Sequence, residues 1–309
     1  MIFSNRPQTM AGDTLVYDGR SYVWAPHGPL WKNLRRLSVV EILSTTSVQK
    51  SSSIREDEVG NLVRRHLLEA SSANGSSRKV EYLFGLLTMN VMLKMASGEP
   101  AARDKETEKM RTRDAAANAI ENPSVIEKKI LNSFPMKSSR ARQCMQHVPQ
   151  MMFIAGTETT SFTLEWAIKS SRGFEETPVL VPHYSSQDCM VCGYDVSKGT
   201  LLIVNAWAIQ NDPSLWDEPT KLRLERFEEE KEGSKFLPFG LGRRACPGAT
   251  MGLRSILLAL GTAIQCFEWE NVGSDTVDMR PGTGPTLSKA MPLEALCSPR
   301  PDLIKLQIL

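Results

Sequence analysis

Several functional classes are excluded by what the chain has little of. Lysines and arginines outnumber aspartates and glutamates by only 37 − 35 = 2. There is no surplus of one sign for nucleic acid or an anionic membrane surface, so no nucleic-acid partner is expected. Six cysteines, at 144, 189, 192, 246, 266 and 297, are spread over 309 residues. This spread gives no disulfide framework and fits a reducing compartment or simple core thiols. The pair Cys189 and Cys192 has no second pair at zinc spacing and reads as two strand cysteines. Runs of 18 apolar residues are missing, so no membrane span is predicted. The first twenty residues contain no apolar h-region, so no signal peptide or transmembrane anchor is expected in this chain.

What is present is an ordinary globular balance, 41% apolar and 23% charged. The first half has helical periodicity. In 28–43, "GPLWKNLRRLSVVEIL", the spacing puts Leu30, Leu34, Leu37 and Val40 on one face, with Pro29 in the first turn. The stretch beginning "SSSIREDEV" carries serine caps and early acids. Residues 80–97 are apolar on most sides and predict a helix that is buried or covered by a partner. Residues 98–144 are charged, weakly periodic and broken by prolines, and 144–171 predict one long helix. After 178 the period shortens. "PVLVPHYS", "MVCGYDV" and "TLLIVNAWAI" predict short strands with turns at Gly193 and Gly199, and the tail predicts more strands after an apolar helix that follows Cys246. The fold class is mainly α with small β-sheets (α+β).

The stretch "FLPFGLGRRACPGAT", 236–250, sets one cysteine among glycines and arginines just before that helix. Unpaired N–H groups and the partial positive charge of a helix start favour thiolate over thiol, so a lowered pKa is expected for Cys246. Arg243 and Arg244 add positive charge, Pro247 is tolerated in a first turn, and Gly240, Gly242 and Gly248 let backbone approach something flat and bulky. Such a thiolate suits a metal ligand or a nucleophile. None of the four histidines (27, 66, 147, 183) has a motif link to it. A dinucleotide fingerprint fails, because the third glycine stands at 248 rather than 245. A structural cysteine in a glycine-rich turn is the plain alternative.

The same stretch resembles the haem-binding signature F-x-x-G-x-R-x-C-x-G of the cytochrome P-450 family, through Phe239, Gly242, Arg244, Cys246 and Gly248. The resemblance implies haem b with Cys246 as its axial iron ligand, Arg244 on a haem propionate and Phe239 near the sulfur. "AGTETT" (155–160) resembles the family's oxygen-activating helix: Ala155 and Gly156 give a helix that passes close to a ligand or opens locally, and Glu158 with Thr159 can relay protons. Trp31 and Arg35 match the family's W-x-x-x-R, and His183 matches a further propionate contact. "LERF" (224–227) resembles P-E-R-F, with Leu224 in place of proline. Residues 181–219 and 22–44 are similar to plant microsomal members, in particular the isoflavone and glucosinolate-type hydroxylases.

The resemblance covers 5–97 and 145–309 as parts of one incomplete domain spanning 1–309: a helical part (5–97), a divergent segment (98–144), the oxygen-activating helix (145–171) and a sheet and haem-binding part (178–309). It implies a fold without the family's N-terminal region, substrate-roof helices or E-x-x-R helix. The E-x-x-R at Glu108 and Arg111 lies on the wrong side of the oxygen-activating helix, and Arg226 is left without that network. The implied activity is a monooxygenase acting on a small apolar or phenolic molecule, with electrons from NADPH through a reductase. The alternative is a non-catalytic, haem-binding remnant. By family the location is the cytosolic face of the endoplasmic reticulum membrane; without an anchor it is the cytosol.

Overall fold

Pro29 starts the first helix. Its fixed φ suits the first turn, and Gly28 before it is extended. The structure, a computed structural model, describes residues 2–8, 21–64, 78–97, 148–169, 179–219, 221, 237–272, 278, 280–282, 286 and 288–301. Helix α1 (Pro29–Arg36) buries Trp31 and Leu34 and passes into a π-turn over Leu37–Ile42, closed by Leu43 N–H donating to Ser38 O at 2.8 Å. This corrects the expected apolar face. A π-turn takes more residues per turn than an α-helix, so Ser38 turns inward and Val40 is 53% exposed.

Ser44 caps α2 (Thr45–Lys50), its hydroxyl accepting from Ser47 N–H. Ser51, the predicted cap of α3 (Ser52–Asn61), instead donates its hydroxyl to Val48 O at 3.1 Å. The predicted early acids fall in the second turn, where buried Glu58 pairs with Lys94 at 2.7 Å. Strand β1 (Arg78–Lys79) leads into α4 (Val80–Ser97), which packs along α5 (Val148–Lys169). Thr88 on α4 donates to Thr157 O on α5 at 3.1 Å, so polar groups as well as side-chain packing fix the register of the pair.

Strands β2 (His183–Tyr184), β3 (Cys189–Val191), β4 (Tyr194–Val196) and β5 (Leu201–Leu202) form two antiparallel pairs, β2 with β5 and β3 with β4. The N-terminal segment adds to β2 through a bridge between Asn5 and Tyr184. Cys192 is not a strand cysteine. With Gly193 it forms the hairpin turn at positive φ, 50° and 87°. The expected strand over 200–209 ends at Leu202, and Ala206–Gln210 is helix α6, capped by the Asn205 side chain.

A 3₁₀ turn (Gly242–Arg244) precedes α7 (Ala249–Cys266), which runs directly into β6 (Phe267–Asn271). β7 (Glu294–Pro299) is the central strand of the sheet β1-β7-β6. The main buried cluster draws Val59 from α3, Phe84 and Leu87 from α4, Leu164 from α5, Met251 and Ala263 from α7, and Phe267 and Ala295 from the sheet. Burying each large side chain of this kind contributes about 2–3 kcal/mol. Helix α7 is long and apolar enough to cross a membrane by length and composition. It lays Met251, Ala259 and Ala263 into this core and leaves Leu253, Leu257 and Ile264 exposed.

Candidate functional site

Cys246 sits in a loop fixed by its own backbone. Cys246 N–H donates to Phe239 O at 2.8 Å and Ala245 N–H to Gly242 O at 3.2 Å. Gly240 and Gly242 have φ of 63° and 72°, a left-handed conformation in which a side chain is strained. Their need is thus backbone conformation; a Cβ at Gly242 would meet nothing within 4 Å. Gly248 is the N-cap of α7 at ordinary φ, and its Cβ would lie 3.8 Å from Cys246 Sγ. The thiol is exposed and takes part in no disulfide. It stands two residues ahead of the cap, with Pro247 between, so neither lies in the first helical turn as expected. Phe239 lies over that turn, 3.8 Å from where a Cβ on Gly252 would stand.

Around the loop the structure gathers basic side chains. Arg35 Nη1 donates to Ala245 O at 2.6 Å and to the Tyr22 hydroxyl at 2.5 Å, tying α1 to the residue beside Cys246. Arg244 donates to Ser4 O, Val23 O and Ala25 O, and its guanidinium lies 4.5 Å from the Trp31 ring centre. Arg6 donates to Val23 O, Val181 O and Pro182 O. Burial pushes Arg6 and Arg244 down to about 10, and Arg6 adds repulsion to Arg244. No carboxylate pairs with Arg6, Arg35 or Arg244 among the described residues. His183, on β2, has Nδ1 at 2.7 Å from Phe3 O; burial first, then Arg6 and Arg244, lower its pKa. Trp31, Arg35, His183, Arg244 and Cys246 therefore share one region.

The stretch 155–160 lies mid-way along α5. Ala155 and Glu158 are exposed, and Gly156 and Thr159 half-buried. The helix continues unbroken through Gly156. That glycine instead faces α4: an added Cβ would lie 3.0 Å from Met92 Sδ and Cε. Local opening at Gly156 is thereby corrected to close helix packing. The Thr159 hydroxyl donates to Ala155 O at 2.7 Å. Glu108, Arg111, residues 98–144 and the segment 224–227 with Arg226 lie outside the described residues, as does most of the junction between α5 and β2.

The family profile described as Cytochrome P450 matches residues 172–295. Cytochrome P450 81D1 of Arabidopsis thaliana is 33% identical over 99% of this chain and 80% of its own length. The chain belongs to the cytochrome P450 family. Other plant relatives of the CYP81 group include the (+)-piperitol/(+)-sesamin synthase of Sesamum radiatum, 32% identical over 97% of this chain and 78% of its own. The isoflavone 2'-hydroxylase of Glycyrrhiza echinata is 26% identical over 99% and 81%. A zebra fish cytochrome P450 structure with abiraterone superposes with a TM-score of 0.78 at 22% identity, covering 96% of this chain and 89% of that one, so the fold is that of a P450.

P450s are haem-thiolate monooxygenases that draw electrons from NADPH through a reductase and act on small molecules. The donor set here fits that cofactor, with an exposed cysteine thiol beside guanidinium groups that lack carboxylate partners among the described residues. This P450 chain is also internally short. Its alignment with P450 81D1 spans 403 positions against 309 residues, leaving at least 403 − 309 = 94 positions without a counterpart. Sequence motifs missed three groups at the site, namely Tyr22, Arg6 and the backbone carbonyls of residues 3 and 4. None carries a spacing signal, since each acts through contacts more than a dozen residues away.

Proposed function

We propose that this chain inserts one oxygen atom of O₂ into a small apolar or phenolic substrate, with Cys246 as the residue that would ligate haem iron. The observation that carries the reading is the Arg35 bond to Ala245 O, which joins the W-x-x-x-R helix to the cysteine loop. Bound haem supplies the redox centre for dioxygen activation, and thiolate ligation favours O–O cleavage. The glycines at 242 and 248 and the ring of Phe239 shape the loop around the thiol. Trp31, Arg35, Arg244 and His183 hold the cofactor's carboxylates. Because His183 Nδ1–H is already directed at Phe3 O, Nε2 donates to a carboxylate only in the imidazolium form.

Glu158 and Thr159 move protons in this reading, the glutamate carboxyl giving one to Thr159 Oγ1 as that hydroxyl passes its own on to the reacting group. Thr159 must then turn its hydroxyl away from Ala155 O, an exchange of one hydrogen bond on a helix whose exposed Ala155 adds only a methyl group. Relatives named for isoflavone hydroxylation support a phenolic substrate. An NADPH-dependent reductase and the cytosolic face of the endoplasmic reticulum membrane complete the proposal by family resemblance.

A second reading, a haem-binding remnant without turnover, is favoured by the 94 missing alignment positions. The carbon monoxide difference spectrum of the reduced, haem-supplied protein tests the shared part. A strongly red-shifted Soret band supports Cys246 ligation, and its absence overturns it. NADPH-dependent product formation with a reductase then separates enzyme from remnant.

A further inference from the structure

Tyr22 is not accounted for by any of the motifs. It lies in the stretch before α1, half-buried, and its phenol oxygen accepts from Arg35 Nη1 at 2.5 Å. The same Nη1 donates to Ala245 O at 2.6 Å, so both of its hydrogens are spent on Tyr22 and the cysteine loop. Nε and Nη2 of Arg35 have no described partner, and neither has the Tyr22 hydroxyl hydrogen. Burial first raises the Tyr22 pKa; Arg35 and Arg244 oppose this, and Cys246 adds to it, which puts all three in its electrostatic surroundings. A phenol whose oxygen accepts from a guanidinium is a strengthened donor, and here that donor is unspent.

We infer that Tyr22 donates its hydroxyl hydrogen to the same anionic group that Arg35 binds, adding a neutral donor to the carboxylate site of the cofactor. This rests on the haem reading above. Arg35 fixes the phenol from one side, so the hydroxyl is aimed without loss of freedom on binding. A neutral donor also adds recognition where three guanidinium groups already repel one another.

The test titrates the purified full chain with iron protoporphyrin IX and, separately, with its dimethyl ester, which lacks the carboxylates. Tyr22→Phe should weaken binding of the diacid about tenfold, the size expected for one hydrogen bond to a charged acceptor, and of the diester less than about twofold. The loss should persist when Arg35→Met is the background. Equal losses on both porphyrins would show that the hydroxyl only supports packing. No loss, or a loss that vanishes with Arg35→Met, would show that Tyr22 has no bond of its own to the carboxylate. Each of these outcomes overturns the inference while leaving wild-type haem binding intact. A wild-type chain that binds the diacid no better than the diester would overturn the carboxylate reading itself.

Discussion

Arg35 and Ala245 are 210 positions apart in sequence and joined by a 2.6 Å hydrogen bond. The guanidinium links helix α1 to the loop that carries Cys246, and the same Nη1 also donates to the Tyr22 hydroxyl.

Replacing Arg35 by lysine keeps the charge and removes the fork. Losing the two bonds should lower the stability of the cofactor-free chain by about 1–3 kcal/mol and weaken porphyrin binding by at least tenfold. A urea midpoint and an absorbance titration measure the two effects; unchanged affinity would separate Arg35 from the cofactor site.

The glycines of the cysteine loop should differ in tolerance. Gly242→Ala forces a side chain into positive φ and should cost about 1–2 kcal/mol. Gly248→Ala, at ordinary φ and with its Cβ 3.8 Å from Cys246 Sγ, should cost less than about 0.5 kcal/mol. Thermal unfolding of the two variants side by side decides this.

Gly156→Ala should be close to neutral. About 1 kcal/mol of helix propensity is gained, and a 3.0 Å approach to Met92 offsets it. In a Met92→Ala background the clash is gone and the same substitution should stabilise by about 1 kcal/mol. A double-mutant cycle from denaturant curves reads the coupling directly.

Stability should fall below neutral pH. His183 and His27 both titrate below the ordinary histidine value of about 6.5, mainly through burial, with Arg6 and Arg244 acting on His183 and with Lys32, Arg243 and Arg244 acting on His27. The unfolded chain therefore binds more protons just below that value. The stability contribution is full above about pH 6.5 and is lost as pH falls through it. Denaturation at pH 7.5 and 5.5 should show the drop, and His183→Gln should flatten it.

The site was legible where a motif fixes several residues at once. Cys246, Arg244, Arg35 and Trp31 meet in space because short spacings set each pair and the fold brings the two stretches together. Glycine was harder to read. Gly156 looks in sequence like a residue kept bare for a ligand, yet its free side faces Met92 on another helix. The π-turn after Leu37 was hidden for a related reason. Hydrophobic spacing assumes a constant period, and Ser38, a polar residue, occupies the inward position by donating to Leu34 O. Cys192 reads as a strand residue by spacing, but the neighbouring Gly193 makes the hairpin turn, and the cysteine shares its positive φ.

The contacts of residues 2–6 have a consequence for synthesis. Phe3, Ser4 and Arg6 meet His183, Arg244, Val181 and Pro182, all from the latter half of the chain. A ribosome releases the N-terminus first, so these residues and Arg35 wait through most of translation before the cysteine loop emerges. The candidate cofactor cradle thus forms only once the cysteine loop has emerged, and a premature stop before residue 181 leaves Phe3, Ser4 and Arg6 without these later partners.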